Sequence, residues 1–273
     1  DEMPVIGMPG CARSIKMNGF DWILHLLLAD LRIDAAEIAD MAAGGLLMEI
    51  VSRPLPRRMV GRRQISNATI GGVILAAGQS RRMGAQNKLL AEIDGVPIIR
   101  RTAQAMLDGG LNDLVIVTGH EHRLVAAALD DLPVTCIYND EYQSGQASSV
   151  ACGVRHHQNG SHAAVLIARG DMPLVRPELI AALLRGHSSL PDATDRITLP
   201  VFDARLGNPV IWGRGFFDEL VALTGDAGGR IIFAENKNAV NSLGWPDDSI
   251  HLDIDTPEAL APLKKASPKK GDK

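Results

Sequence analysis

The sequence is poor in cysteine, in aromatic residues and in net charge, and each shortage excludes a class of protein. Cys11, Cys136 and Cys152 are odd in number and form no CxxC pair, so we expect neither a disulfide framework nor a structural zinc site. The net charge of −4 gives no overall basic field to attract nucleic acid. The three tryptophans are too scattered to form a stacking platform for bases.

Long apolar runs and targeting signals are also missing. No apolar stretch approaches the roughly 20 residues that a membrane span needs, and no secretory signal is visible. We therefore expect a cytoplasmic protein without a membrane partner. Because the chain begins at Asp1, we expect it to be a fragment of a longer protein. Its 273 residues, 46% of them hydrophobic, are enough for one large domain or two smaller ones.

The chain divides at a basic connector. From Arg53 to Lys88 there are eight Arg or Lys residues and no acidic residue, and Pro54 and Pro56 break regular structure there. We interpret residues 53–68 as a linker and the polar, basic residues 264–273 as a disordered tail. Residues 1–52 read as a small, mainly helical segment, too short to form a good core alone.

From residue 69 the pattern changes to alternating strands and helices. Apolar runs predict strands at Gly72–Ala76, Leu114–Thr118, Val134–Tyr138 and Ala163–Ala168. Helices are predicted at Ile98–Leu107, Arg123–Leu129 and Pro177–Arg185. This alternation favours an α/β fold with a mostly parallel sheet covered on both faces. Ligands of such sheets bind beyond the carboxyl ends of the strands.

The loop after the first predicted strand carries the strongest motif. It reads LAAGQSRRMG over residues 75–84, with Lys88 following. Gly78 and Gly84 allow a close approach of the backbone to a ligand, and Arg81, Arg82 and Lys88 supply positive charge for phosphate. Neither GxGxxG nor a Walker A sequence is present. From the residues alone, a phosphate site and an ordinary glycine-containing turn both remain open.

This loop closely resembles the nucleotide-binding signature of the MobA/MocA-like molybdenum cofactor nucleotidyltransferases, part of the NTP-transferase family. The resemblance implies a three-layer, Rossmann-like α/β fold over residues 69–263. It implies that Arg82 and Lys88 neutralise the triphosphate and act in catalysis. The nucleotide-binding residues it implies in this loop are Leu75, Ala76, Ala77, Gly78, Ser80, Arg81, Arg82, Met83, Gly84 and Lys88.

Two acidic segments resemble the metal-binding segments of that family. Asp171, in the sequence ARGDMP, resembles the family's Mg²⁺-binding Asp, and it is our predicted catalytic residue and metal ligand. One carboxylate at a strand end suits Mg²⁺ when substrate phosphates and water supply the other ligands. Arg169 departs from the small or apolar residue usual there. In HLDIDTPE, Asp253 and Asp255 are expected to alternate on a strand, and Asp255 is the predicted second metal ligand.

Further segments extend the resemblance over residues 70–260. The sequence NDEYQSGQASS, residues 139–149, resembles a loop in which Gly145 and Ser148 approach the nucleotide. Gly207, Asn208 and Pro209 resemble an acceptor-binding segment, and residues 225–230 resemble the family's GDxGaR turn. Residues 4–14 resemble the distal part of molybdopterin-binding domains, so residues 1–52 are interpreted as the C-terminal part of such a domain.

The resemblance implies Mg²⁺-dependent transfer of a nucleotidyl group from an NTP to molybdopterin, with release of pyrophosphate. CTP is favoured over GTP because LAAG with Ser80, and Asn87 before Lys88, resemble the cytidylyltransferase branch. A molybdoenzyme that receives the cofactor is a further expected partner. Transfer to a sugar or polyol phosphate and a non-catalytic molybdopterin-delivery role remain alternatives, and a dinucleotide-dependent oxidoreductase is disfavoured without GxGxxG. The pairs His120/His122 and His156/His157 lack zinc-ligand spacing and are interpreted as surface or core histidines.

Overall fold

The computed structural model describes residues 69–80, 87–226, 228–254, 256, 259–261 and 263. All of these residues belong to one compact unit, Gln64–Lys273. The predictions for residues 1–52, for the linker at 53–68 and for the tail at 264–273 therefore lie outside the described residues.

The described residues form an alternation of strands and helices, as the sequence pattern predicts. The strands are β1 (Ile70–Ala76), β2 (Glu92–Ile93), β3 (Val96–Pro97), β4 (Leu114–Thr118), β5 (Thr135–Tyr138), β6 (Ala164–Arg169), β7 (Ile197–Phe202), β8 (Arg205–Leu206), β9 (Val210–Gly213) and β10 (Val240–Gly244). The helices are α1 (Ile98–Asp108), α2 (His122–Ala127), α3 (Gln146–Gln158), α4 (Pro177–Ser188), α5 (Phe217–Ala222) and α6 (Arg230–Glu235).

One large sheet organises this part of the chain. Its strand order is β10-β7-β9-β6-β1-β4-β5, with β8 paired to β7. The pairs β1–β4, β1–β6, β4–β5 and β7–β10 are parallel, whereas β9 runs antiparallel between β6 and β7. Because β1, β4 and β6 are parallel, their carboxyl ends meet at one edge of the sheet and their amino ends at the other. We name these the carboxyl edge and the amino edge.

Both faces of the sheet are buried, as expected for near-continuous apolar strands. In β1, Ile74 belongs to a core cluster that includes Met106 of α1 and Leu179 of α4. Val73, the neighbouring residue, belongs to a second cluster on the opposite face with Val154 of α3 and Phe217 of α5. Helices thus cover the sheet on two sides, which confirms the predicted α/β fold with a mostly parallel sheet.

One detail differs from the predicted elements, and the histidine pair of α3 is placed as interpreted, one on the surface and one in the core. Residues 252–254 have no strand geometry, so the expected strand carrying Asp253 is wrong; Ile254 instead donates one backbone hydrogen bond to the carbonyl oxygen of Asp171 at 3.0 Å. His156 and His157 lie at the end of α3, where His156 is exposed and His157 is fully buried. Among the described helices, none has the length and apolarity to cross a bilayer.

Candidate functional site

A cavity of about 530 Å³ lies at the carboxyl edge of the sheet. Its walls come from the segments that follow β1, β5 and β6, as the rule for open α/β sheets predicts. The residues that line it are Leu75, Ala77, Gly78, Gln79, Ser80, Lys88, Leu89, Tyr142, Gln143, Ser144, Gly145, Gln146, Ser149, Arg169, Asp171 and Asp226.

The loop after β1 supplies the wall that the sequence motif predicts. Leu75, Ala77, Gly78 and Ser80 line the cavity. Ala76 does not line it, because its side chain is 1% exposed and packs in the core. The predicted residues Arg81, Arg82, Met83 and Gly84 lie outside the described residues.

The two ends of this loop are joined by hydrogen bonds. The Ser80 hydroxyl donates to Oδ1 of Asn87 at 3.3 Å and accepts from the backbone amide of Lys88 at 3.1 Å. Oδ1 of Asn87 also accepts from the amide of Leu89 at 3.0 Å, which caps the short 3₁₀ turn Lys88–Leu90. Asn87 is therefore a buried structural residue, 5% exposed, and its side chain is not among those that line the cavity.

Two cations and two carboxylates form a network on the cavity wall. Lys88 makes an ion pair with Oδ2 of Asp171, and Arg169 donates to the same oxygen at 2.8 Å. Arg169 also pairs with Oδ2 of Asp253 at 2.5 Å. The structure thus brings Lys88 and Asp171 together as predicted. It also gives a partner to Arg169, whose role the sequence leaves open.

The donor set fits a divalent cation at Asp171. The Asp171 side chain is 4% exposed, and while Oδ2 receives both cations, Oδ1 is buried and has no hydrogen-bond partner among the described residues. A buried carboxylate oxygen in this situation is costly unless a ligand satisfies it. A hard cation with phosphate and water ligands satisfies it well. Asp255, the predicted second ligand, lies outside the described residues, whereas Asp253 is held near Asp171 by Arg169.

The amino end of α3 forms the opposite side of the cavity. Gly145 precedes this helix with φ of 123°, and a Cβ at this position would lie 2.4 Å from the backbone of Gly225. Only glycine meets both conditions. The first helical amide, that of Gln146, donates to Oδ1 of Asp226 at 3.2 Å. The turn that contains Asp226 is thereby tied to the helix that borders the cavity.

The structure distinguishes the two neighbouring serines of this helix. The Ser148 hydroxyl has two acceptors within reach of its one hydrogen, the carbonyl oxygens of Glu141 at 3.0 Å and Gly145 at 2.9 Å, and Ser148 does not line the cavity. Ser149 does line it. The sequence motif predicts that Ser148, and not Ser149, approaches the nucleotide. The prediction does not include Tyr142, although the same motif contains it.

A second cavity of about 270 Å³ adjoins the first. Of the three predicted acceptor-binding residues, Gly207 and Asn208 line it, whereas Pro209, which follows a cis peptide bond, does not. Gly228, Gly229 and Arg230 of the GDxGaR-like turn line it as well. Both cavities share the side chains of Leu75, Gln146 and Arg169. Two ligands bound in these cavities would therefore be adjacent.

Comparison with known proteins finds relatives along this part of the chain. The chain is 28% identical to a nicotine blue oxidoreductase of Paenarthrobacter nicotinovorans over 196 residues, which cover 70% of this chain and 94% of that protein. It is 33% identical to the bifunctional protein GlmU of Sorangium cellulosum over 61% of this chain and 34% of that protein. The chain thus spans about a third of the length of this GlmU relative.

Solved structures share the fold. Rv0371c of Mycobacterium tuberculosis H37Rv superposes with a TM-score of 0.62 at 24% identity, covering 73% of this chain and 100% of that one. A CMP:2-keto-3-deoxy-manno-octonic acid synthetase complexed with CTP superposes with a TM-score of 0.58 at 15% identity, covering 72% of this chain and 97% of that one.

The sequence match places the chain in one family. The family model for the MobA-like NTP transferase domain matches residues 72–240, which include the β1 loop, Lys88, Asp171 and the walls of both cavities. This chain belongs to the MobA-like NTP transferase domain family.

Proposed function

We propose that the protein transfers a nucleotidyl group from an NTP, with CMP favoured over GMP, to molybdopterin and releases pyrophosphate in a reaction that depends on Mg²⁺. The observation that carries this proposal is the pair of adjoining cavities whose common wall contains Arg169, next to Lys88 and Asp171. Such an arrangement suits two anionic substrates that must meet at one phosphorus atom.

The larger cavity suits the nucleotide. Lys88 supplies a cationic side chain, and Ala77, Gly78 and Ser80 of the β1 loop line the cavity, where their backbone amides would be available to phosphate oxygens. Three glutamine side chains, of Gln79, Gln143 and Gln146, also line this cavity. Each amide can both donate and accept a hydrogen bond, which matches the mixed edge of a cytosine ring.

The smaller cavity suits the acceptor. Asn208 offers polar atoms and Arg230 a positive charge, while Leu199 and Trp212 provide apolar surface. A flat pterin ring system with a terminal phosphate needs both kinds of contact. Acceptance of the product by a molybdoenzyme, and a molybdopterin-binding role for residues 1–52, belong to the same proposal.

The chemistry needs positioning and charge stabilisation more than a base. The attacking phosphate oxygen of the acceptor is already anionic, so no general base is required. Lys88, together with Arg82 by family resemblance, offsets the charge of the triphosphate. Asp171 would hold the divalent cation through Oδ1, with Asp253 or Asp255 as the second carboxylate. When bound, the cation supplies charge stabilisation at the α-phosphate.

The ion pairs of the network must rearrange for this role. Lys88 and Arg169 both occupy Oδ2 of Asp171, and phosphate oxygens of a bound NTP would compete for the same two cations. Substrate binding would then release the Asp171 carboxylate from these ion pairs, so that it could hold the divalent cation. The network therefore holds the site in a charge-balanced state until the nucleotide arrives.

The test is pyrophosphate release by the full chain with Mg²⁺ and molybdenum-loaded molybdopterin, with CTP, GTP, ATP and UTP compared side by side. Release with CTP supports the proposal, and release with GTP alone would overturn the base preference but keep the reaction. A parallel panel of sugar and polyol phosphates separates the alternative acceptors. If no acceptor gives pyrophosphate release but the protein binds molybdopterin tightly, the protein would be a non-catalytic delivery module and not a transferase. Oxidation of a nicotinamide cofactor is measured as well, because one relative is named an oxidoreductase.

A further inference from the structure

A group of metal-ligating side chains lies at the amino edge of the sheet, at the opposite ends of the strands from the cavities. Asp113 immediately precedes β4, His156 and His157 end α3, and His162 precedes β6. One ligand atom each from Asp113, His156 and His157 lies within 4.8 Å of the others. The spacing of these residues along the chain gives no zinc motif, because three separate segments contribute them.

His157 is oriented as metal-binding histidines usually are. Its side chain is fully buried, and Nε2 lies 3.0 Å from the carbonyl oxygen of Gly72. A carbonyl only accepts, so in the neutral ring Nε2 carries the hydrogen and Nδ1 carries the lone pair. A hydrogen bond from the second ring nitrogen to a carbonyl is the usual way in which a protein fixes a metal-binding imidazole.

The lone-pair nitrogen of His157 faces an acidic group. Nδ1 is buried, has no hydrogen-bond partner within the described part of the chain, and lies 3.7 Å from Oδ2 of Asp113. A neutral imidazole lone pair beside a carboxylate oxygen places two acceptors together with no hydrogen between them. This arrangement is unfavourable unless a proton or a cation lies between the two atoms.

His162 completes the group from the other side. Its Nε2 lies 3.0 Å from the same Asp113 oxygen, and its ring centroid lies 4.6 Å from that of His157. Ligand atoms in a tetrahedral zinc site are separated by roughly 3.3 Å, given metal–ligand distances of about 2.0–2.1 Å. Oδ2 of Asp113 lies 3.7 Å from Nδ1 of His157 and 3.0 Å from Nε2 of His162, and these two distances bracket this value.

The backbone around the group is held firmly. The amide of Gly72 donates to the carbonyl oxygen of Asp113 at 2.8 Å, which fixes the start of β4 against β1. A Cβ on Gly71 would lie 2.5 Å from Nδ1 of His157, so the imidazole packs directly on the glycine backbone. The ring therefore cannot turn away without disturbing β1.

We propose that Asp113, His156 and His157, with His162 as the fourth candidate ligand, bind one Zn²⁺ ion at the amino edge. Nitrogen and carboxylate ligands in a group of three or four are the donor set that Zn²⁺ takes. The ion would link the start of β4, the end of α3 and the loop before β6. Because it would lie at the opposite edge from Asp171, its role is to stabilise these segments and not to act on substrate.

The experiment is a Zn²⁺ titration of the tag-free full chain in competition with a chromogenic zinc indicator. All proteins carry Asp171→Asn, so that the carboxylate of the large cavity does not contribute. The expected result is one ion per chain. Asp113→Asn and His156→Gln, which change exposed side chains of the group, are each expected to weaken binding by at least about tenfold. His122→Gln is the matched control, because it removes a histidine outside the group, and it should leave binding unchanged.

X-ray absorption at the zinc edge identifies the ligands. Nitrogen and oxygen neighbours at about 2.0–2.1 Å, lost together in Asp113→Asn, support the proposal. A sulfur neighbour would assign the ion to a cysteine and overturn it. Equal affinity in the parent and in both variants would overturn it as well, and so would the absence of a tight site in the parent. None of these readings depends on transferase activity.

Discussion

The two edges of the sheet carry charged and titratable groups of different kinds. At the carboxyl edge, Lys88 and Arg169 both form ion pairs with Asp171. At the amino edge the corresponding groups are buried histidines. Burial lowers the pKa of His157, and it lowers the pKa of His187 to about 4. One edge therefore keeps fixed charges, and the other keeps neutral rings.

This difference separates substrate binding from scaffold stability. Fixed charges beside an open cavity attract a polyanion without a change of protonation. Neutral rings inside the fold avoid the cost of a buried charge, but they make the fold sensitive to acid. Variants at the carboxyl edge should thus change activity, whereas variants or pH changes at the amino edge should change stability.

The largest effect is expected from Asp171→Ala at the carboxyl edge. We expect kcat/KM for nucleotidyl transfer to fall about 10³-fold, about 4 kcal/mol, because the carboxylate that would hold the cation is lost. Pyrophosphate release measures the effect. Asp171→Asn, which keeps the shape of the side chain, separates loss of charge from loss of packing.

Two outcomes would contradict the catalytic role of Asp171. Retention of more than about a tenth of the activity, a loss under roughly 1.4 kcal/mol, would remove Asp171 from the catalytic machinery. A matched loss in Asp131→Asn would show that the assay responds to any carboxylate, since Asp131 pairs with Arg100 on the exposed surface. We expect that control to match the parent protein.

Acid should destabilise the protein through the amino edge. His187 is 1% exposed, and its Nδ1 lies 2.9 Å from the Thr198 hydroxyl. Above its ordinary pKa of 6.5 the ring is neutral in both the folded and the unfolded chain, and its contribution is constant. Between pH 6.5 and about 4 only the unfolded chain takes up the proton, so stability is lost as the pH falls, by about 3 kcal/mol in all.

Denaturant unfolding at several pH values measures this loss. His187→Gln should have a shallower decline than the parent over the same range, whatever its stability at neutral pH. His157 titrates in the same direction in both proteins, so it cancels in the difference. Parallel curves for the two proteins would show that His187 does not carry the acid sensitivity.

A smaller effect is expected from Arg169→Met, which keeps the length of the side chain and removes its charge. Arg169 lines both cavities and pairs with Asp171 and Asp253. We expect kcat/KM to fall about tenfold, mainly through a higher KM for the acceptor, because one shared cation is lost. Steady-state kinetics with each substrate varied in turn measure it.

The matched control for this variant is Arg176→Met. Arg176 pairs with Asp247 and lies over the Trp245 ring, and it lines neither cavity. An equal fall of kcat/KM in both variants would mean that Arg169 acts only through the net charge of the protein. A change in the KM for the nucleotide alone would assign Arg169 to the larger cavity.

Much of the fold could be predicted from the sequence because the central strands are apolar on both faces. The runs around Val73, Val115 and Val165 have no polar alternation, and only a sheet covered on both sides buries them. The position of β9 could not be predicted in this way. Val210–Gly213 is a short apolar run, and nothing in its residues specifies that it runs antiparallel between β6 and β7.

The candidate site shows the same division. The motifs that follow the strands can be located in order, so the family resemblance predicts Lys88, Gly145 and Asp171, and all three line the larger cavity. Which side chain of a motif faces the cavity depends on its angular position around the helix and on local hydrogen bonds. Ser148 and Ser149 differ by one position on α3, and only the structure shows which of them lines the cavity. Histidines from separate segments were missed because spacing along the chain says nothing about contacts between loops.

The closure of the β1 loop by Ser80 and Asn87 has a consequence for exchanging this loop between relatives. The Ser80 hydroxyl is hydrogen-bonded to Asn87 and to the amide of Lys88, so the two described ends of this loop lie side by side. A segment anchored in this way can be replaced as a unit, because the entropy of closing the loop changes only slowly with its length. The corresponding loop of a relative could thus be grafted between Ser80 and Asn87 with the rest of the fold left intact.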